Sequence, residues 1–110
     1  MSGAGALRFS LTGSPPVLAI AGDIDEDTYP VLVRKLAELG GGEIHLSLAG
    51  VEFCDLAGLR AIIRLAGAGR GTPATRLVLH EVPRQLQAVL GIVGWDSTPG
   101  LVLDDHPAAR

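Results

Sequence analysis

Short apolar runs with strand character alternate along this chain with segments whose large aliphatic residues recur at helical spacing, and that alternation constrains the fold more than any other feature. In residues 26–39, Leu32, Leu36 and Leu39 fall on one helical face, while Arg34, Lys35 and Glu38 lie off it. Pro30 fits only the first turn of such a helix, and Gly40, Gly41 and Gly42 stop it. Residues 56–68 carry Leu59, Ile62, Ile63 and Ala66 at i, i+3, i+4 and i+7, with Gly67, Gly69 and Gly71 closing the segment. A third helix starts at Pro83, repeats the spacing with Leu86, Val89, Leu90 and Val93, and ends at Gly94.

The strand segments are shorter. Residues 43–48 set Ile44, Leu46 and Leu48 against His45 and Ser47, and residues 76–80 and 101–103 read as further strands. Upstream, residues 7–11 and 17–21 flank Thr12-Gly13-Ser14-Pro15-Pro16, a spacing that predicts an antiparallel hairpin. The run VLAIA at 17–21 is apolar throughout, as expected of a strand covered on both faces. Strands alternating with amphipathic helices imply right-handed crossovers. The predicted fold is α/β: a mostly parallel mixed sheet with an N-terminal hairpin and about three helices. One domain spans residues 1–110, with 1–5 and 104–110 as loose tails.

Composition narrows the function classes. With 47% hydrophobic and 19% charged residues the chain is a folded domain rather than a disordered one. A net charge of -3 without a basic stripe argues against a nucleic-acid partner. The single cysteine, Cys54, excludes an internal disulfide and a cysteine-rich zinc site. No apolar run approaches the ~20 residues of a spanning helix, and residues 1–10 lack a signal pattern, so a cytoplasmic location without membrane insertion is expected.

In a parallel sheet the loops following the strands gather at one edge, where α/β proteins bind their ligands. The segments Gly22-Asp23-Ile24-Asp25 and 53–55 are read as two such loops, which brings Asp23, Asp25 and Asp55 together beside the start of the second helix. Asp55 also suits the N-cap of that helix, Asp25 or Asp27 the start of the first, and Gly58 a close approach of helix to sheet.

The nine residues 51–59, VEFCDLAGL, resemble the signature of STAS domains, the family of anti-sigma factor antagonists and of STAS modules in transporters. The family motif reads hydrophobic-Asp-Ser-(Ser/Thr/Ala)-Gly-Leu, and GDID at 22–25 is similar to its Gly-Glu-(hydrophobic)-Asp, with Thr28 near a hydroxyl often found after it. The resemblance implies an α/β fold over nearly the whole chain. It also implies that Leu56 stands where relatives carry the Ser or Thr that a cognate kinase phosphorylates, and that Asp25 matches the residue helping to position that reaction. No Ser, Thr or Tyr occurs between Val51 and Thr72, so the usual switch has no acceptor at this position. Leu56 itself has two readings, a residue tucked into the core or an apolar knob on the binding face.

The expected function is a non-enzymatic, cofactor-free regulatory module resembling an anti-sigma factor antagonist. Its partner would be an anti-sigma factor or serine-kinase-like protein, bound through Asp23, Asp25, Thr28, Asp55, Leu56, Ala57 and Gly58. A fourth, C-terminal helix found in many such antagonists has no counterpart in the sequence. Short STAS proteins of that kind also resemble subunits that stabilise the ATPase of phospholipid-transport ABC complexes, an alternative reading. A nucleotide hydrolase is the weaker alternative. The glycine-rich stretch 67–72 follows a helix and opens a strand, the reverse of a phosphate-binding loop. His45, His80 and His106 lack ligand spacing, and His45 reads as a strand residue on the polar side. Cys54 lacks a nearby base and reads as buried and inert, and Trp95 as a ring covering the core edge.

Overall fold

Along strand β2 (Val17–Ile24), Leu18, Ile20, Gly22 and Ile24 are buried while the residues between them are only partly so. That is the two-residue period of a pleated strand with one covered face. This strand is the second of five in the computed structural model of the chain, which describes residues 6–14, 16–39, 42–66 and 76–104. The elements run β1 (Arg8–Thr12), β2, α1 (Tyr29–Ala37), β3 (Glu43–Cys54), α2 (Leu56–Ile63), β4 (Arg76–His80), α3 (Arg84–Val93), a short 3-10 turn (Trp95–Ser97) and β5 (Leu101–Asp104).

The strands lie in the sheet in chain order, β1-β2-β3-β4-β5, with β1 antiparallel to β2 and every later pair parallel. A sheet that grows in one direction through right-handed crossovers must put every helix on the same face. One core cluster holds Leu32 and Leu36 of α1, Leu59, Ile62 and Ile63 of α2, and Leu86 and Leu90 of α3. The same cluster takes Leu18, Ile20 and Ile24 from β2, Ile44, Leu46 and Leu48 from β3, and Leu77 and Leu79 from β4. The molecule is therefore two layers, helices over sheet. On the far face the alternate strand residues are Ala19, Ala21, His45, Ser47, Val78 and His80.

Several boundaries differ from those expected. The VLAIA run is not covered on both faces: Ala19 and Ala21 stay partly exposed, and as small apolar residues they hid the alternation. Residues 22–24 are strand rather than loop, because the β2–β3 ladder continues through two register shifts, with Gly22 at a φ of 110°. Strand β3 likewise runs on through Ala49 to Cys54, twelve residues in all, so Phe53 and Cys54 also leave the loop. Helix α1 begins at Tyr29 rather than at 26 and ends at Ala37, and α2 ends at Ile63 rather than near 68. Asp104 closes β5 instead of opening the tail. Helix α3 begins at Arg84 behind Pro83 and stops at Gly94 in the left-handed conformation, as predicted, but Val93 is exposed. Gly40, Gly41, Gly67, Gly69 and Gly71, His106 and the tails 1–5 and 105–110 lie outside the described residues.

Candidate functional site

The two segments that the sequence places together do meet, as strand ends rather than loops. Asp23 pairs with Phe53 and Ile24 with Cys54 across β2 and β3, and the Asp55 N–H donates to Ile24 O at 2.9 Å. The start of α1 and the start of α2 therefore leave one sheet edge side by side.

Each start is built by its own side chains. Asp25 Oδ1 accepts from the N–H groups of Asp27 and Thr28, both at 3.0 Å, and Thr28 Oγ1 accepts from the Asp25 N–H at 3.0 Å. This reciprocal pair, an aspartate and a hydroxyl three residues on, satisfies backbone donors of the turn that precedes the helix. Thr28 Oγ1 also donates to Asp23 O at 2.8 Å, and the Tyr29 N–H reaches Asp25 O at 2.8 Å. Residues 25–28 are consequently a tied turn ahead of α1, which is why the helix begins later than its sequence pattern. At the second helix Asp55 is the N-cap, its Oδ1 accepting from the Gly58 N–H at 2.8 Å.

Gly58 is buried where α2 crosses β2, and a Cβ there would run into Ile24 Cγ2, which has no exposure. The close approach of helix to sheet inferred from the sequence is thus present. Leu56 and Ala57 point the other way, and Leu56 is 52% exposed, which settles its placement in favour of the surface. A depression of about 270 Å³ lies there, lined by Tyr29, Leu56, Ala57, Arg60, Ala61, Arg64 and Trp95. Arg60 and Arg64 are one helical turn apart and make no ion pair with the described residues, so the depression has an apolar mouth and a basic end. The acidic turn carrying Asp25, Glu26 and Asp27 precedes Tyr29 at the other end.

Asp55 caps α2 and Asp25 ties the turn ahead of α1, and among the described residues no group of three or more His, Cys, Asp and Glu side chains could hold a metal ion. A second groove of about 300 Å³ runs between the end of β3 and α3, lined by Phe53, Cys54, Pro83, Leu86 and Val89 among others, with Phe53 half exposed. Burial first, and the neighbouring Asp55 charge second, push the Cys54 thiol up to about 12. The thiolate needed for nucleophilic chemistry is therefore scarce near neutrality.

Tyr29, Arg60, Arg64 and Trp95 were not singled out in the sequence as site residues. Arg60 and Arg64 lie off the Leu59-Ile62-Ile63 stripe at i, i+4, so their common outward face was readable. The meeting of Trp95 with α2 was not, since no local pattern encodes it. His45 is more than a polar-side strand residue, because its ring contacts both His80 and Glu43.

Comparison with known proteins follows this geometry. A family model described as "Mlab, STAS domain" matches residues 7–103. An anti-sigma factor antagonist from Mycobacterium paratuberculosis has a similar structure, with a TM-score of 0.74 at 18% identity over 93% of this chain and 90% of that one. An uncharacterized protein of the DUF3478 family with a SpoIIAA-like fold, from Shewanella loihica PV-4, gives a TM-score of 0.50 at 12% identity over 96% and 91% of the two chains. At these identities the likeness is one of fold. No curated protein matches the chain.

Proposed function

The chain belongs to the STAS domain family, and from that premise we propose that it is a non-enzymatic regulatory module that binds a protein partner, in the manner of an anti-sigma factor antagonist. The observation that supports this best is Leu56. It stands at the position where the resemblance places the switched hydroxyl, it follows the capped Asp55 at the head of α2, and it projects from the surface beside an apolar depression. Half-exposed leucine next to Tyr29 and Trp95 is the composition of a docking centre, and the tied acidic turn and Arg60 and Arg64 form charged margins around it. The partner is an anti-sigma factor or serine-kinase-like protein, met in the cytoplasm. The ATPase subunit of a phospholipid-transport type ABC complex is the alternative occupant of the same face.

Without a hydroxyl at position 56 the module is not switched off by phosphorylation. Two other hydroxyls of the chain are poor substitutes. Thr28 Oγ1 is tied to Asp23 O and the Asp25 N–H, and Ser47 is buried in β3. The test is to incubate the protein with candidate anti-sigma kinases and ATP, then to read complex formation by size-exclusion chromatography and modification by intact mass. A complex that persists in ATP, with no added phosphoryl group, is expected. Stoichiometric modification at Thr28 or Ser47 sinks the unswitched reading, and recovery of an ABC ATPase subunit in place of any kinase selects the alternative.

A further inference from the structure

The two ends of the outer surface of α1 and α2 carry opposite charge. Strands β2 and β3 are parallel, so the two helices start at one edge of the sheet and run back in the same direction. At that edge the turn ahead of α1 carries Glu26 and Asp27, both exposed. At the other end the last turn of α1 carries Arg34 and Lys35, and α2 carries Arg60, with Arg64 at its C-cap. Lys35 is taken up by Glu38 at 3.5 Å. Arg60 and Arg64 are exposed and make no ion pair with the described residues, Asp96 beside Trp95 included.

Between these ends the surface is apolar. Tyr29, Leu56 and Ala57 are exposed there, and so is Val33, one helical turn on from Tyr29. Leu56, Arg60 and Arg64 follow one another at intervals of one turn, so the basic end begins about 6 Å from Leu56 and reaches to about 12 Å along the axis. Arginines in a last turn also suit the helix dipole. That role leaves unexplained why large apolar side chains stay exposed between an acidic and a basic end.

A face ordered acid, apolar, base is complementary to itself. A twofold axis through its centre sets the acidic end of each copy against the basic end of the other and brings the two Leu56 side chains together. We propose that this face pairs with a second copy of the chain, Glu26 and Asp27 of each copy meeting Arg60 and Arg64 of the other around a centre of Leu56, Ala57, Tyr29 and Val33. The net charge of -3 on each copy opposes approach at long range, and the sorted ends replace that repulsion with attraction at contact. The patch is only a few residues wide, which puts the dimer in the weak, transient class, with a dissociation constant on the order of tens of micromolar. Pairing and partner docking use the same face and so exclude each other. Self-association then withholds the docking face as the chain becomes concentrated, a control that needs no hydroxyl at position 56. The dimer itself is independent of any partner, and the chain alone tests it.

Sedimentation equilibrium of the intact chain, up to about 300 µM in about 50 mM salt, should show monomer and dimer in exchange; about 500 mM salt should weaken the dimer roughly tenfold by screening its charged ends. The double variants E26R/D27R and R60E/R64E each set like charges opposite one another, so each is expected to be a monomer, with thermal melting as the check on folding. Mixed in equal amounts, the two should form a heterodimer at least as tight as the parent dimer, because opposite charges then meet at both ends. A parent chain that stays monomeric overturns the proposal. So does association indifferent to salt and to both reversals, or a pair of folded, monomeric variants that ignore each other when mixed. If R60E/R64E does not fold, E26R/D27R decides alone: loss of self-association supports the pairing, and its retention overturns it.

Discussion

At the scale of one residue, Leu56 belongs to the surface and not to the core. Because its side chain is 52% exposed at the first position of α2, Leu56→Asp costs no core packing, and a carboxylate there is favoured by the N-terminal end of the helix. The substitution is expected to weaken partner binding several-fold while leaving thermal melting within a few degrees of the parent. Unchanged affinity would remove Leu56 from the docking surface. Gly58 behaves in the opposite way. Alanine gains roughly 1 kcal/mol of helix propensity over glycine, yet its methyl would occupy the space of Ile24 Cγ2, and overpacking of that kind costs ~1–3 kcal/mol. Gly58→Ala should therefore lower the melting temperature, and a rise would mean that Ile24 can yield. Cys54 supplies a third check. Its folded value of about 12 lies above the ordinary 9.0, so its contribution to stability is complete below pH 9 and is lost as pH rises through 12. Iodoacetamide at pH near 8 should leave it unmodified in the folded chain and alkylate it in urea; rapid alkylation without denaturant would contradict its burial.

At the scale of elements, the helical stripes read from the sequence are the ones that reach the core. Leu59, Ile62, Leu86 and Leu90 are all buried, two from α2 and two from α3. Replacing any one with alanine should cost ~2–5 kcal/mol in denaturant melts, and near-neutral effects at all four would mean that the helices pack by other faces. Strand β4 was legible residue for residue, because RLVLH stands between segments of different character. The ends of other elements were not. The β2–β3 ladder survives two register shifts, and Gly22, which read as loop, sits inside it, as does Gly50, where a Cβ would run into Ala21. The first helix lost its opening turn to the Asp25–Thr28 pair, a competition between side-chain and backbone hydrogen bonds that helical spacing does not register. The placement of Asp55 and Leu56 was legible because a strand ending at an aspartate and turning at once into a helix fixes both their positions. The His45–His80 contact was not, since it joins residues 35 apart that become neighbours only through strand pairing.

For the whole molecule, the consequential feature is the in-order sheet. Strands neighbouring in the chain are neighbours in space, and no described strand pair skips over another. In kinetic language, each parallel pairing then closes a loop of only one helix and its turns, so the entropy lost at each step stays small for a parallel sheet. Assembly can advance from β2 toward β5 in the order in which a ribosome releases the chain. The same order makes β5 the last strand added and leaves it, like β1 at the opposite edge, with one neighbour to hold it.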